Sequence, residues 1–228
     1  MRILALETST DAASCALWQD GRLTGVDCPA GRPQSETLLP LARQLLAEAG
    51  CGFRDLSAIA FDCGPGAFTS LRVGCGLAQG IACALDLPLL PVGSLEAMAQ
   101  AAEAPRVLSL LDARMGEVYA AAFERLSDGR LQAVMPARVA RPEALEFPED
   151  ESWLAVGNAL AAYPALSLRF AAPFQRPEIL PHACALAELG AYALQRGEQL
   201  DPAAAGLRYV RDKVAQTTAE RQAAGGRV

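Results

Sequence analysis

Histidine is almost missing from this chain: His182 is the single imidazole in 228 residues. A zinc or iron centre built on imidazoles needs at least two at fixed spacing. None of the seven cysteines (15, 28, 51, 63, 75, 83 and 184) forms a Cys-x-x-Cys pair, so no metal site is predicted. His182 follows Pro181 at a predicted helix start and reads as a cap or surface residue. Ser–His–Asp chemistry is equally unsupported, because no Gly-x-Ser-x-Gly elbow is present. Gly64-Pro65-Gly66 is followed by no Gly-Lys-Ser/Thr and is not a Walker loop. Basic residues are outnumbered, 20 Lys and Arg against 26 Asp and Glu, giving a formal net charge of −6. Such a chain does not by itself attract a phosphate backbone. Aromatics are only 6% of the residues, and no basic–aromatic cluster marks a nucleic-acid surface. Arg208, Arg211 and Lys213 form one small basic run that reads as a solvated helix face. Long apolar runs are absent too. The opening stretch meets Glu7 at once, unlike a signal peptide. The run near Ile81 stops at Asp86 and Pro88, short of a bilayer's width. These absences predict a cytoplasmic protein with no membrane contact and with reduced, structural thiols.

What is present is a large apolar fraction, 52%, enough for a sizeable core. Residues 2–7, 13–18 and 22–27 read as an antiparallel meander, with Asp20-Gly21 as a hairpin turn. Leu38, Leu41, Ala42, Leu45 and Ala49 recur at helical spacing, predicting a helix over 36–49 capped by Ser35 or Thr37 and ended by Gly50 and Gly52. A strand over 57–62, a sharp turn at 64–66, a long helix over 67–85, a strand at 89–92 and a helix over 94–103 follow. The second half repeats the pattern: strands over 106–112, 117–124 and 130–139, a surface excursion over 142–151, a strand over 153–156 and a helix over 182–196. The last dozen residues read as frayed. The expected class is α/β, with two duplicated mixed-sheet lobes, residues 1–105 and 106–228. The carboxyl-terminal helix is free to pack back on the first lobe.

The 67–85 helix carries Gly74, Gly76 and Gly80. Each costs about 1 kcal/mol relative to alanine inside a helix, so something must offset roughly 3 kcal/mol. Gly76, Gly80 and Ala84 share one face. Two readings stand for it: close packing inside the molecule, or close approach of a partner's helix.

Four segments carry a family resemblance: Ile3 to Thr10, Gln34 to Pro40, Asp62 to Gly74 (DCGPGAFTSLRVG) and Asp112 to Tyr119 (DARMGEVY). With the tail Tyr209-Val210-Arg211-Asp212, they resemble the TsaB (YeaZ) family over nearly the whole chain. The third segment is the most specific. The resemblance implies an actin/Hsp70/sugar-kinase-like fold. It further implies a non-catalytic subunit of the tRNA threonylcarbamoyladenosine machinery, without a cofactor of its own. Such a subunit pairs with the transferase TsaD and, through it, with the ATPase TsaE. tRNA is reached only in the complex, and a homodimer is an option when TsaD is absent. TsaD carries a metal motif, His-x-x-x-His, where this chain has Ser94 and Met98.

The resemblance and the helix patterns together place the partner surface at Glu36, Leu38, Leu41, Leu45, Arg72, Val73, Gly76, Gln79 and Gly80. A vestigial nucleotide site is placed at Glu7, Thr8 and Ser9 of the first hairpin and at Gly157 and Asn158. The competing reading is an independent ATP-binding, kinase-like enzyme or a degenerate metallopeptidase-like protein.

Overall fold

The computed structural model describes residues 1–148 and 152–211. Asp212 and Lys213 of the predicted tail motifs, and the last dozen residues, lie outside them. Two five-stranded sheets organise the chain. In the first, β1 (Arg2–Glu7), β2 (Ser14–Gln19) and β3 (Arg22–Asp27) form an antiparallel meander, to which β4 (Ala58–Asp62) and β5 (Leu89–Val92) add in parallel, giving the order β3-β2-β1-β4-β5. The second repeats this design. Here β6 (Arg106–Asp112), β7 (Val118–Arg125) and β8 (Leu131–Ala140) are the meander, extended by β9 (Leu154–Val156) and β10 (Gln175–Arg176) in the order β10-β9-β6-β7-β8. Asp20 and Gly21 both have positive φ, 48° and 89°, the geometry a tight two-residue hairpin demands.

Side chains alternate across a strand, and β1 uses both faces. Leu4 and Leu6 point with Ile59 and Phe61 toward α1 (Gln34–Glu48) and α2 (Phe68–Leu85). Ile3 and Ala5 point with Ala58 and Ala60 toward α6 (Ala183–Gln195). Small residues let α6 lie close: a Cβ on Gly190 would stand 3.0 Å from the Ala60 methyl. The helix begins at His182, whose Nδ1 accepts from the Cys184 amide as its N-cap. The chain therefore leaves the second sheet after β10 and returns to the first. On the second sheet, Leu108, Leu110 and Ala120 pack under α4 (Ala159–Ala162) and α5 (Pro164–Ser167). Its other face meets α3 (Ser94–Ala101) through Leu95 and Met98. Because Ala97 of α3 belongs to the first lobe's core, this helix is wedged between the lobes.

Three local expectations change. Helix α1 starts at Gln34 after Pro33 with no side-chain cap, and the Thr37 hydroxyl donates back to the Pro33 carbonyl (3.0 Å) rather than capping. Proline at the N-cap leaves no amide to satisfy there. Gly50 (φ 70°) closes the helix, whereas Gly52 opens the short 3-10 turn Phe53–Asp55. Leu38 and Leu45 are only 1% and 3% exposed. With Ala42 and Leu46 they form the inward stripe of α1, at the i, i+4, i+7, i+8 positions that face a sheet.

Helix α2 has the length and mean hydropathy, 1.3 over 18 residues, to cross a bilayer by composition alone. Its inner stripe, Leu71, Gly74, Ala78 and Ala82, is instead packed on the first lobe. The three glycines divide accordingly. A Cβ on Gly74 would lie 2.3 Å from the Thr8 hydroxyl, while Gly76 and Gly80 face open space.

All seven cysteines are free. Burial raises the thiol pKa of Cys63 to about 12 and moves that of Cys15 upward as well, because a thiolate loses solvation there. Only Cys83 is exposed. A thiol reagent at pH 8 is expected to modify Cys83 first and to reach Cys15 and Cys63 only on unfolding. Rapid native labelling of Cys15, followed by peptide mass spectrometry, would contradict this burial.

Candidate functional site

A cavity of about 440 Å³ opens between the lobes. Its first wall is the turn after β1, Ser9 to Ala12, against residues 65–68. These two turns touch: the Ala67 amide donates to the Ser9 carbonyl (2.7 Å), and any Cβ on Gly66 would sit 2.5 Å from Ser9. Glycine is required there by close approach. Gln34 at the start of α1 fastens the outer part of the turn, its Nε2 donating to the Thr10 carbonyl (2.8 Å).

The opposite wall is the β6–β7 loop. Arg114, Met115 and Gly116 follow one another at φ 60°, 56° and 77°. Two consecutive side-chain-bearing residues in the left-handed region are costly and persist only when their surroundings impose them. Three groups impose them here. The Asp112 amide donates to Asn158 Oδ1 (2.8 Å), and the Tyr163 hydroxyl donates to Asp112 Oδ1 (2.8 Å). Arg211 donates to the Ala113 carbonyl (3.0 Å) and to the Glu117 carboxylate (2.5 Å). Burial, then the bond to Asp112, pushes the Tyr163 phenol up to about 12. The loop's outer residues are left to solvent, Met115 at 65% exposure, and Arg114 reaches across the cleft to Asp11 (3.0 Å).

Residues 208–211 close the remaining side. The Arg208 amide donates to the Cys63 carbonyl in the first lobe (2.7 Å). Tyr209 packs on Phe68, ring centroids 5.6 Å apart, and Arg72 of α2 lies 3.7 Å over the Phe68 ring with Nη2 3.5 Å from the Tyr209 hydroxyl. This stretch is an extended strap between the lobes, which corrects the expected solvated helix face: pairing with Glu117, 94 positions earlier, holds Arg211 in place. The cavity offers backbone groups, hydroxyls, guanidinium groups and aromatic faces suited to holding a small polar ligand. Among the described residues no group of three or more His, Cys, Asp or Glu side chains is placed to hold a metal ion.

The five residues expected in a nucleotide site divide. Ser9 and Asn158 line the cavity. Glu7 and Thr8 are fully buried and do not reach it: Glu7 turns toward Asp62 beneath the floor, and Thr8 packs against Gly74. Gly157 is also beneath the surface, at φ 112°, where a Cβ would stand 2.2 Å from the Leu110 carbonyl. Ser94 donates to Asp62 (2.6 Å) and Met98 is in the core. Asp11, Phe68, Asp112, Arg114, Tyr119, Tyr209 and Arg211 all contribute to the cleft and were not singled out as site residues. Asp112, Arg114 and Tyr119 lie in the Asp112–Tyr119 segment, Phe68 in the Asp62–Gly74 segment and Tyr209 and Arg211 in the tail motif, but nothing in those motifs tells that they meet; Asp11 carries no motif signal.

Of the residues expected at the partner surface, Glu36, Arg72, Gly76 and Gly80 are exposed, and Leu41, Val73 and Gln79 are half-buried. Gln79 is partly committed, its Nε2 donating to the Pro202 carbonyl (2.9 Å). Leu38 and Leu45 offer no side-chain surface, whereas Leu39 and Phe68 do.

Residues 28–219 match the family of TsaD, tRNA N6-adenosine threonylcarbamoyltransferase. The chain is 38% identical over 173 residues to the tRNA threonylcarbamoyladenosine biosynthesis protein TsaB of Escherichia coli K12, covering 73% of this chain and 75% of that one. Its identity to the Haemophilus influenzae TsaB is 39% over 178 residues, covering 72% and 74%. The solved structure of YeaZ from Pseudomonas aeruginosa superposes with a TM-score of 0.83 at 36% identity, over 91% of this chain and 99% of the other.

Proposed function

The chain belongs to the TsaB (YeaZ) family of tRNA threonylcarbamoyladenosine biosynthesis proteins, and from that premise we propose that it is the non-catalytic, partner-activating subunit of the modifying complex. Its partner in this reading is a TsaD homologue, docked on the outer faces of α1 and α2. TsaE joins through that pair, and tRNA is engaged only by the assembled complex, in the cytoplasm. Without TsaD, the same face pairs two copies of this chain.

One observation carries the reading: α2 is apolar along its length, yet its outer face, with Gly76 and Gly80, has nothing within 4 Å of where a side chain would begin. Internal packing does not account for two helix-weakening glycines on an open face, whereas a second backbone approaching closely does. The resemblance agrees with a supporting role: Ser94 and Met98, which it sets against TsaD's paired histidines, are both absorbed into structure, Ser94 donating to Asp62 and Met98 in the core.

Reconstitution tests it. Threonylcarbamoylation of tRNA by TsaD and TsaE homologues is expected to need this chain, and the chain alone is expected to transfer nothing. Full modification with this chain left out, or turnover by the chain by itself, would reject the proposal.

A further inference from the structure

Glu7 ends β1 and Asp62 ends β4, on adjacent parallel strands. Their side chains are 0% and 1% exposed and lie within hydrogen-bonding reach of one another. Each has one oxygen fully used. Glu7 Oε1 accepts from the Ser9 amide (2.6 Å) and hydroxyl (2.5 Å). Asp62 Oδ1 accepts from the Gly64 amide (2.7 Å) and the Ser94 hydroxyl (2.6 Å). The other oxygens, Glu7 Oε2 and Asp62 Oδ2, are buried with no donor. No cation among the described residues donates to either carboxyl group. Arg208 of the strap and Glu96 of α3 act electrostatically on Cys63, the residue after Asp62, and Asp27 and Glu7 act on the Cys28 thiol after β3.

Two carboxylates facing each other without a donor or a counter-ion cannot both be ionised in a dry interior. The geometry points to a single proton shared between Glu7 and Asp62, which joins the Ser9 turn to the Gly64 turn beneath the cleft floor, with the Ser94 start of α3 bonded to the same carboxyl, and makes that joint sensitive to pH. Both turns form the first wall of the cleft, so the proton is a tie holding that wall together. The pair titrates as a unit. Burial, followed by the neighbouring Asp62 charge, places Glu7 well above its ordinary range, and burial raises Asp62 too.

The direction of the effect follows. The folded chain keeps the proton at a pH where the unfolded chain has lost it. The stabilising contribution is therefore complete below about pH 4.5 and declines as pH rises toward the folded pKa. Exposed Asp20, Asp128 and Glu198, whose pKa values are lowered by their partners, act only at lower pH. Burial raises Glu96 of α3 as well, so the part of the pH dependence that belongs to the pair is the part that substituting Glu7 or Asp62 removes.

Thermal melts of the full chain between pH 5 and 8 test this. Glu7→Gln places a permanent N–H donor opposite Asp62. It should melt about 3–5 °C above the wild type at pH 8 and lose the difference at pH 5. Asp62→Asn should behave alike from the other side. The Glu7→Gln/Asp62→Asn double variant turns two donors on each other and should melt below either single variant at every pH. A purely steric role would not reverse sign between the singles and the double. Single variants that melt below the wild type at pH 8 would overturn the shared proton. So would 1 mM magnesium raising the wild-type melting temperature at pH 8 without raising that of Glu7→Gln, because the pair would then hold a cation.

Discussion

Gly80→Leu is expected to leave the isolated chain as stable as before, or more so, while weakening association with the TsaD homologue about tenfold to a hundredfold. The two halves of the result come from one fact, the open space around Gly80. The Cβ of a leucine there meets nothing internal within 4 Å, and Gly80 is exposed. The leucine replaces the poorer helix former by a good one, a gain of up to about 1 kcal/mol. At a close helix–helix contact the same side chain overfills the gap, and overpacking costs about 1–3 kcal/mol. That cost falls wholly on binding, where every 1.4 kcal/mol is about a factor of ten. Pull-down affinity and thermal stability are measured on the same preparation. A variant that melts early but binds normally would return the glycine face to core packing, and unchanged binding at unchanged stability would move the partner elsewhere.

The largest stability effect is expected at Gly157. Its φ of 112° is strained for any other residue, and the added Cβ would lie 2.2 Å from the Leu110 carbonyl of β6 and 2.4 Å from the Met98 methyl. Met98 has some freedom to shift, but the strand carbonyl has little. Strain and overpacking together suggest about 3–5 kcal/mol for Gly157→Ala. For a chain of this size that is a fall of roughly 10 °C or more in Tm. Gly76→Ala, on the open face of α2, should gain a degree or two by the propensity argument. A Gly157→Ala variant melting within 2 °C of the wild type would show that this turn is looser than its geometry states.

Much of the fold was legible because local chemistry and tertiary structure agree. Asp20-Gly21 makes its hairpin, the Gly64-Pro65-Gly66 turn delivers β4 into α2, and Gly50 closes α1. The orientation of α1 was not legible. Leu38, Leu41 and Leu45 repeat at helical spacing whether they face a sheet or a partner, and periodicity does not name the neighbour. The glycines of α2 show the same ambiguity at single positions: Gly74 is there for Thr8, while Gly76 and Gly80 are there for nothing inside the molecule. The cleft was the least legible part, because its walls are joined across the chain. Arg211 meets Glu117, Tyr209 meets Phe68, and Asn158 meets Asp112, and no short window of sequence contains any of these three pairs. Glu7, expected at the cleft, lies buried beneath it: a strand-end acid looks the same in sequence whether it lines a cleft or hides beneath one.

The position of α6 has a consequence for how the protein is made. The second sheet is built from one continuous stretch, residues 106–176, while the face of the first sheet opposite α1 and α2 receives its long helix only from residues 183–195. On the ribosome, the second lobe has all its strands available while the first still exposes Ile3, Ala5, Ala58 and Ala60 to water. Contacts spanning almost the full chain are the slow ones to form. The amino-terminal lobe, although synthesised first, is thus completed last, reversing the usual amino-to-carboxyl order of domain folding.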